Sequence, residues 1–273
     1  MSFLVLMLTI ILEKLSHIRS EIQKDSWWFA LQTRCTVLFT KTPWLALFLS
    51  LAVALVPLSI IFYFSSSIFY GLLLLPLHLV IVLYSIGRTD IKKNLGSFRD
   101  AWRRQDKTGA MLSAQRDLEI YVEHDKDLFI AVQQYMSWKA YQGFFSVIFY
   151  YCLFGPIVAL TYRLLVLTAE QSRHPQLAEK ARFLLHSLDW IPVRLLGLTF
   201  ALMGNFSAVS KNIMHNILSI EISAASYIGQ SSRAAADIND NQQIDVLDQL
   251  WQLLVRSAMF WYIVVAFFTL YSW

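Results

Sequence analysis

Long apolar runs separated by polar segments dominate the pattern along the chain. A helix needs about 20 predominantly apolar residues to cross a bilayer. By that measure the pattern predicts four membrane-spanning helices, at about residues 43–64, 68–87, 141–167 and 257–273. Only Ser65-Ser66-Ser67 separates the first two runs, which predicts a tight antiparallel hairpin. The third run is interrupted at Gly155-Pro156, a suitable place for a helical hinge.

Two further apolar segments, residues 1–12 and 188–205, are too short or too charged to assign. Half-spans, re-entrant elements and helices lying on the membrane surface all stay open for them. In the second segment, Trp190-Ile191-Pro192 predicts a break, because proline removes a backbone donor and clashes with the preceding turn. The side of the membrane that holds residues 168–256 depends on whether residues 188–205 cross it.

The polar segment of residues 88–140 predicts a cytosolic helical insertion. It opens with more Lys and Arg than Asp and Glu beside a predicted span, and the positive-inside rule places such a segment in the cytoplasm. Within it, Leu112–Tyr135 has apolar residues at helical spacing, which predicts one amphipathic helix. Val246–Arg256 repeats that pattern after a predicted loop at Asp237–Asp240. The predicted fold class is all-α, a polytopic membrane protein forming a single domain over residues 1–273.

Composition supports the membrane class. The chain is 56% hydrophobic and 15% charged, whereas soluble domains are about 45–50% apolar and about 25% charged. The net charge of +4 suits contact with an anionic bilayer surface, and it is too small and too scattered to indicate nucleic-acid binding. Cys35 and Cys152 are the only cysteines, and we interpret both as packing residues because they form neither a disulfide framework nor a metal-binding spacing.

One apolar segment also carries three ionisable residues, His186, Asp189 and Arg194. A charge inside a bilayer costs about 2.5–3.5 kcal/mol on insertion scales, so such residues are usually paired or face a cavity. We therefore expect Asp189 to pair with Arg194 across the Pro192 break. The cluster either binds a ligand or holds the fold together, and the structural role is favoured. Snorkelling of the charges from an interfacial helix is the alternative.

A basic stretch in the insertion is the second candidate. Its members are positioned to hold a phosphate or to contact lipid headgroups: Arg99, Arg103, Arg104, Asp106 and Lys107. A membrane-proximal segment that sets topology and touches anionic lipid is the favoured interpretation. The sequence contains no P-loop, dinucleotide fingerprint, zinc-binding His-Glu-x-x-His or nucleophile elbow, so we predict no catalytic residue and no metal site. His78, beside Pro76, is expected to bond a backbone carbonyl that the proline frees, and a proton relay is the alternative.

The segment Leu185–Gly204, LHSLDWIPVRLLGLTFALMG, resembles the signature of the AmpE family, with weaker similarity at Leu4–Leu15 and Phe154–Arg163. That family is a branch of the CobD/CbiB-like membrane proteins of cobalamin biosynthesis. The resemblance implies a multi-pass protein of the bacterial inner membrane that modulates β-lactamase induction. It also implies a functional link to the cytosolic amidase of muropeptide recycling, so that β-lactam exposure or cell-wall damage is reported.

The cobalamin-pathway relatives are ATP-dependent ligases, and such chemistry needs acidic residues to hold Mg²⁺ and phosphates. Their Ala-Glu-Asn-x-x-Asp-Gly motif falls on Ser137–Gly143, where this chain has Trp138, Lys139 and Gln142. Their paired aspartates fall on Leu185-His186. The resemblance therefore implies a scaffold without ligase activity and without a cofactor. An ATP-dependent ligase-like enzyme of unknown substrate and a transporter of cell-wall fragments stay open as alternatives.

Overall fold

In a computed structural model, the regular elements of the described residues are helices and one π-helical turn. The structure describes residues 2–13, 23, 25–67, 74–87, 90–122, 124–216, 219, 222–236 and 245–271. The helices are α1 Ser2–Glu13, α2 Ser26–Leu38, α3 Pro43–Ser67, α4 Leu74–Ser85, α5 Ile91–Asn94, α6 Gly96–Arg103, α7 Lys107–Leu118, α8 Asp125–Ala140, α9 Ser146–Phe154, α10 Pro156–Gln171, α11 Pro175–Met203, α12 Phe206–Asn216, α13 Ala224–Ala235 and α14 Asp245–Tyr271. The π turn is Tyr141–Phe145. No strand occurs in these ranges, and the all-α prediction is confirmed.

The chain divides into two compact units. The first comprises Met1–Gly87, Ser146–Leu188 and Val265–Trp273. The second comprises Arg88–Phe145 and Asp189–Val264. The single domain over residues 1–273 stays a prediction.

Helix α10 is the centre of the first unit, where it packs against α3, α4 and α9. Its consecutive residues Leu164–Thr168 are all buried, which is typical of a helix surrounded by others. Gly155 separates α9 from α10 with φ +84°, a backbone conformation that favours glycine, and Pro156 begins α10. The predicted interruption at Gly155-Pro156 is confirmed.

Two helices of the described residues are long and apolar enough to cross a membrane, against four predicted. One candidate span, Pro43–Ser65 in α3, has a mean hydropathy of 2.7 and matches the first prediction. It includes the first of the three serines, and α3 continues through all three, so the predicted serine turn is wrong. Of the second predicted span, residues 68–73 lie outside the described residues. The described part forms α4, which has 12 residues and is shorter than the about 20 that a span needs. The third is divided into the π turn, α9 and α10.

The last candidate span, Asp245–Thr269 in α14, begins 12 residues before the predicted start at residue 257. The reason is that the amphipathic pattern of Val246–Arg256 and the apolar run after it form one helix. The first half packs into the core of the second unit through Val246, Leu247 and Leu250. The predicted loop at Asp237–Asp240 and the last two residues of the chain lie outside the described residues.

Helix α11 runs without a break through Pro192, so the predicted break at Trp190-Ile191-Pro192 is wrong. A proline at this position cannot donate to the carbonyl of Leu188, four residues earlier. The Tyr150 hydroxyl donates to that carbonyl at 2.7 Å instead. Because the freed backbone acceptor is satisfied by a side chain, the helix tolerates the proline.

The core of the second unit is built around Phe98, Leu128, Phe200 and Leu250, all fully or almost fully buried. The single amphipathic helix predicted over Leu112–Tyr135 is wrong, because α7 ends at Leu118 and α8 begins at Asp125. Glu119 adopts a left-handed conformation with φ +58° and ends α7. The turn lets Leu118 and Leu128 reach the same core from two helices.

Helices α8 and α13 pack closely in the second unit. The Ser137 and Ser232 hydroxyls, both buried, lie 2.8 Å apart across this pair. Gly229 lies so close to the Gln134 side chain that a β-carbon would have to displace it. Small residues therefore bring this helix pair together.

Candidate functional site

The Asp-Trp-Ile-Pro-Val-Arg segment places two ionisable side chains inside the second unit. Asp189 is 3% exposed and Arg194 is 7% exposed, so helix α11 carries both charges into the protein interior. In a continuous helix, residues five positions apart lie about 140° apart around the axis. The predicted coupling of Asp189 with Arg194 stays a prediction. His186 is exposed on α11 and makes no hydrogen bond or ion pair within the described part of the chain.

Asp189 is bound to the π turn. Its Oδ1 accepts a 2.6 Å hydrogen bond from the hydroxyl of Tyr141, the first residue of that turn. Tyr141 is fully buried, and its ring lies 5.2 Å from the ring of Trp138. π-Helical turns are rare and often occur at functional sites. This hydrogen bond therefore joins the segment Leu185–Gly204, which contains Asp189, to the π turn.

Arg194 joins α11 to the segment that precedes α13. Its Nη1 donates to the Trp190 carbonyl at 2.9 Å, and its Nη2 donates to the Ser219 carbonyl at 2.6 Å. The guanidinium carbon lies 4.4 Å from the centre of the Trp190 ring and 5.3 Å from that of Tyr227. Both distances are in the range of cation–π attraction, which is strongest where the cation is desolvated.

Two aromatic side chains beside Arg194 have buried polar atoms that lack a hydrogen-bond partner among the described residues. Neither Trp190 Nε1 nor Tyr227 Oη makes a hydrogen bond with the described residues. Burial raises the pKa of the Tyr227 hydroxyl, and the positive charge of Arg194 partly opposes that rise. Tyr227 is therefore neutral at physiological pH and contributes its ring, rather than a charge, to the site.

Comparison with known protein families decides the relationship. The model for "Regulatory signalling modulator protein AmpE" matches residues 1–272. This chain belongs to the AmpE family. Comparisons with curated proteins and with solved structures give no match. The family and its regulatory character therefore rest on a match that covers almost the whole AmpE-family chain.

The residues of the basic stretch in this AmpE-family chain make different contacts. Arg99 donates from Nη2 to both carboxylate oxygens of Asp248, at 2.7 and 2.8 Å. Asp106 caps the N-terminus of α7 by accepting from Gly109 N at 2.8 Å. Arg104 donates from Nε to the Asp100 carbonyl. Arg103, Arg104 and Lys107 are exposed, and a phosphate or lipid role for the stretch stays a prediction.

The first unit contains a cluster of hydrogen-bonded polar side chains that the sequence did not predict. The Thr168 hydroxyl accepts from Trp28 Nε1 at 3.2 Å and from Gln32 Nε2 at 2.6 Å, and all three residues are buried. The signal was present, since Trp28 and Gln32 lie four positions apart on α2 and so share a face. Their partner lies about 140 residues away in sequence, and only the fold identifies it.

His78 has a different partner from the one predicted. Its Nδ1 lies 3.0 Å from the Tyr151 hydroxyl, where a backbone carbonyl was expected.

Within the described ranges, no group of three or more His, Cys, Asp or Glu side chains could hold a metal ion. At the positions that match the ligase motif, Trp138 packs on Tyr141, and Gln142 is buried.

Proposed function

We propose that this chain is a multi-pass signalling modulator of the bacterial inner membrane, linked to β-lactamase induction and to muropeptide recycling. The family match over residues 1–272 is the observation that carries this proposal. The two candidate membrane spans, Pro43–Ser65 and Asp245–Thr269, support the membrane location. The proposal includes a functional link to the cytosolic amidase that trims muropeptides.

We further propose that the chain acts without catalysis. Asp189 and Arg194 bind protein groups, namely the Tyr141 hydroxyl and the Ser219 carbonyl, which suits a site that holds segments in place. A modulator needs a partner surface and an element with two arrangements, whereas a ligase needs acidic residues for metal and phosphate. We propose Gly155, between α9 and α10, as the hinge.

Complementation tests the signalling role. A strain lacking this protein should lose normal β-lactamase induction by a β-lactam, and the wild-type gene should restore it. Arg194→Lys keeps the charge but loses the planar group that lies near the Trp190 and Tyr227 rings, so it should restore induction incompletely. The same change at an exposed arginine of α11 outside this cluster, Arg182→Lys, is the matched control and should restore induction fully.

Membrane abundance and unfolding temperature in detergent are measured for each variant, so that loss of protein is separated from loss of signalling. Normal induction in the deletion strain would overturn the proposed function. Normal induction with Arg194→Lys would overturn the role of the Arg194 site.

Activity assays test the two alternatives. The purified protein should show no Mg²⁺-dependent ATP turnover above a detergent blank, and it should not rescue a strain lacking the cobalamin ligase. Proteoliposomes carrying it should not accumulate labelled muropeptide. Rescue would establish the enzyme, and accumulation would establish the transporter.

A further inference from the structure

Helix α11 carries an apolar face that is exposed in the described part of the chain. Its members are exposed leucine and isoleucine residues at successive intervals of four, three and four: Ile191 at 55%, Leu195 at 40%, Leu198 at 43% and Leu202 at 59%. These intervals place all four on one side of a helix. We name this set the α11 stripe.

The opposite side of α11 is the buried side. Val193, Leu196 and Phe200 are fully buried in the core of the second unit, so the stripe is not the core face turned outward. A helix that is apolar all round is surrounded by protein or by lipid. The described residues cover only the buried side of α11. Lipid is therefore the apolar environment that suits its exposed side.

Polar groups in this part of α11 are satisfied inside the protein. No charged residue occurs between Leu195 and Met203. The Thr199 hydroxyl donates to the Leu195 carbonyl at 2.9 Å and accepts from Trp261 Nε1 at 3.0 Å. Internal satisfaction of this kind is what a hydrocarbon environment requires.

The same hydrogen bond connects the stripe's helix to a candidate membrane span. Trp261 belongs to Asp245–Thr269, and this span also exposes apolar residues, including Met259 and Ile263. An apolar surface on α11 is therefore attached to the helix of the second unit that is best suited to enter the bilayer.

We propose that the α11 stripe contacts the acyl chains of the membrane, an inference that rests on the membrane location in the proposed function. From Ile191 to Leu202 a helix rises about 16 Å, roughly half of a 30 Å hydrocarbon core. The stripe therefore reaches through about one leaflet. Asp189 and Arg194 are then shielded from lipid by Tyr141, Trp190 and Tyr227.

Spin labelling tests this inference. Single cysteines at Leu198 and Leu202, in the full chain carrying Cys35→Ser and Cys152→Ser, are labelled with a nitroxide. The protein is placed in vesicles of phosphatidylethanolamine and phosphatidylglycerol. Collisions with oxygen, which concentrates in hydrocarbon, are compared with collisions with a water-soluble nickel chelate. Ile263 is the control within the candidate span, and Leu112, an exposed leucine of α7 outside the stripe, is the comparison site.

We expect a higher oxygen-to-nickel ratio at both stripe positions than at Leu112, and a similarly high ratio at Ile263. A ratio at Leu198 and Leu202 no higher than at Leu112, with a high ratio at Ile263, overturns the inference and leaves the proposed membrane location intact. A low ratio at Ile263 as well overturns both. Protection from both reagents together with dipolar broadening between molecules would show that a second copy covers the stripe, and it also overturns the inference.

Discussion

At the scale of single residues, two buried tyrosines of the second unit differ in one respect. Tyr141 donates to the Asp189 carboxylate, whereas the hydroxyl of Tyr227 has no hydrogen-bond partner among the described residues. A hydrogen bond to a charged group is worth more than one between neutral groups, and a buried acceptor that loses its donor keeps its full desolvation penalty. The same chemical change at the two positions therefore has different consequences.

Tyr141→Phe should lower the free energy of unfolding by about 1–3 kcal/mol, because the buried Asp189 carboxylate loses a donor. Tyr227→Phe is the matched control and should be neutral or slightly stabilising, since it removes a buried hydroxyl without a partner. Unfolding of the purified protein in detergent measures both. Equal losses at the two positions would show that the Tyr141 hydrogen bond contributes nothing specific.

A double-mutant cycle tests the predicted coupling of Asp189 with Arg194. Removing one partner of a buried pair typically costs about 3–5 kcal/mol, because the other charge is left uncompensated. Asp189→Ala and Arg194→Ala should therefore each lower thermal stability, and the double variant should lose less than their sum. Additive losses would assign each charge to its own partners, which include Tyr141 for Asp189 and Ser219 for Arg194.

At the scale of elements, prolines and glycines decide where helices continue and where they end. Pro192 lies inside α11, and the Leu188 carbonyl that it frees is satisfied by Tyr150. Pro156 instead follows a glycine with a positive φ, and the chain leaves the helix there. The helix therefore continues through Pro192, where a side chain satisfies the freed carbonyl, and it ends before Pro156, where the glycine leaves the helical conformation.

The Tyr150 hydroxyl should matter only while Pro192 is present. Tyr150→Phe should cost about 1 kcal/mol in the wild-type background, because the Leu188 carbonyl loses its donor. In a Pro192→Ala background the helix supplies its own N–H to that carbonyl, so the same change should cost less. Unfolding measurements on the four proteins complete the cycle. An equal cost in both backgrounds would show that Tyr150 does not compensate for the proline.

Gly155→Ala should destabilise the protein by about 1–3 kcal/mol, the usual cost of holding a side-chain-bearing residue in a conformation that suits glycine. Apart from Gly155 and its two chain neighbours, no described residue has an atom within 4 Å of the position of an added β-carbon, so the cost is conformational rather than a clash. Gly96→Ala, at the start of α6 with equal space around it, is the control and should cause no loss, because alanine favours helix. Unfolding in detergent compares the two. Equal stability of both variants would contradict a requirement for glycine at residue 155.

At the scale of the whole molecule, the distribution of positive charge predicts the orientation in the membrane. A cysteine at Ser66, at the end of α3, should react with an impermeant thiol reagent added outside intact cells, whereas one at exposed Ser97 should not. Both are made with Cys35 and Cys152 replaced by serine. The reverse labelling pattern would invert the topology.

The sequence by itself determined the features that depend on local chemistry. Helical hydropathy predicted the candidate span in α3, and the conformational limits of Gly155-Pro156 predicted the end of α9, because both depend on residues adjacent in the chain. The residues of Leu185–Gly204 also indicated the AmpE family. Local patterns, however, extended the helix over Leu112–Tyr135 too far, since apolar spacing does not show that two helices share one core.

Only the tertiary structure decided which groups meet across the chain. Tyr141 and Asp189, Arg194 and Ser219, and Gln32 and Thr168 are partners separated by 48, 25 and 136 positions. Pro192 shows the physical reason most directly. A proline predicts a broken helix when only its own hydrogen bond is considered, but a hydroxyl from another helix satisfies the free carbonyl, and α11 continues. Burial makes such distant partners necessary, because a polar group removed from water must find another donor or acceptor.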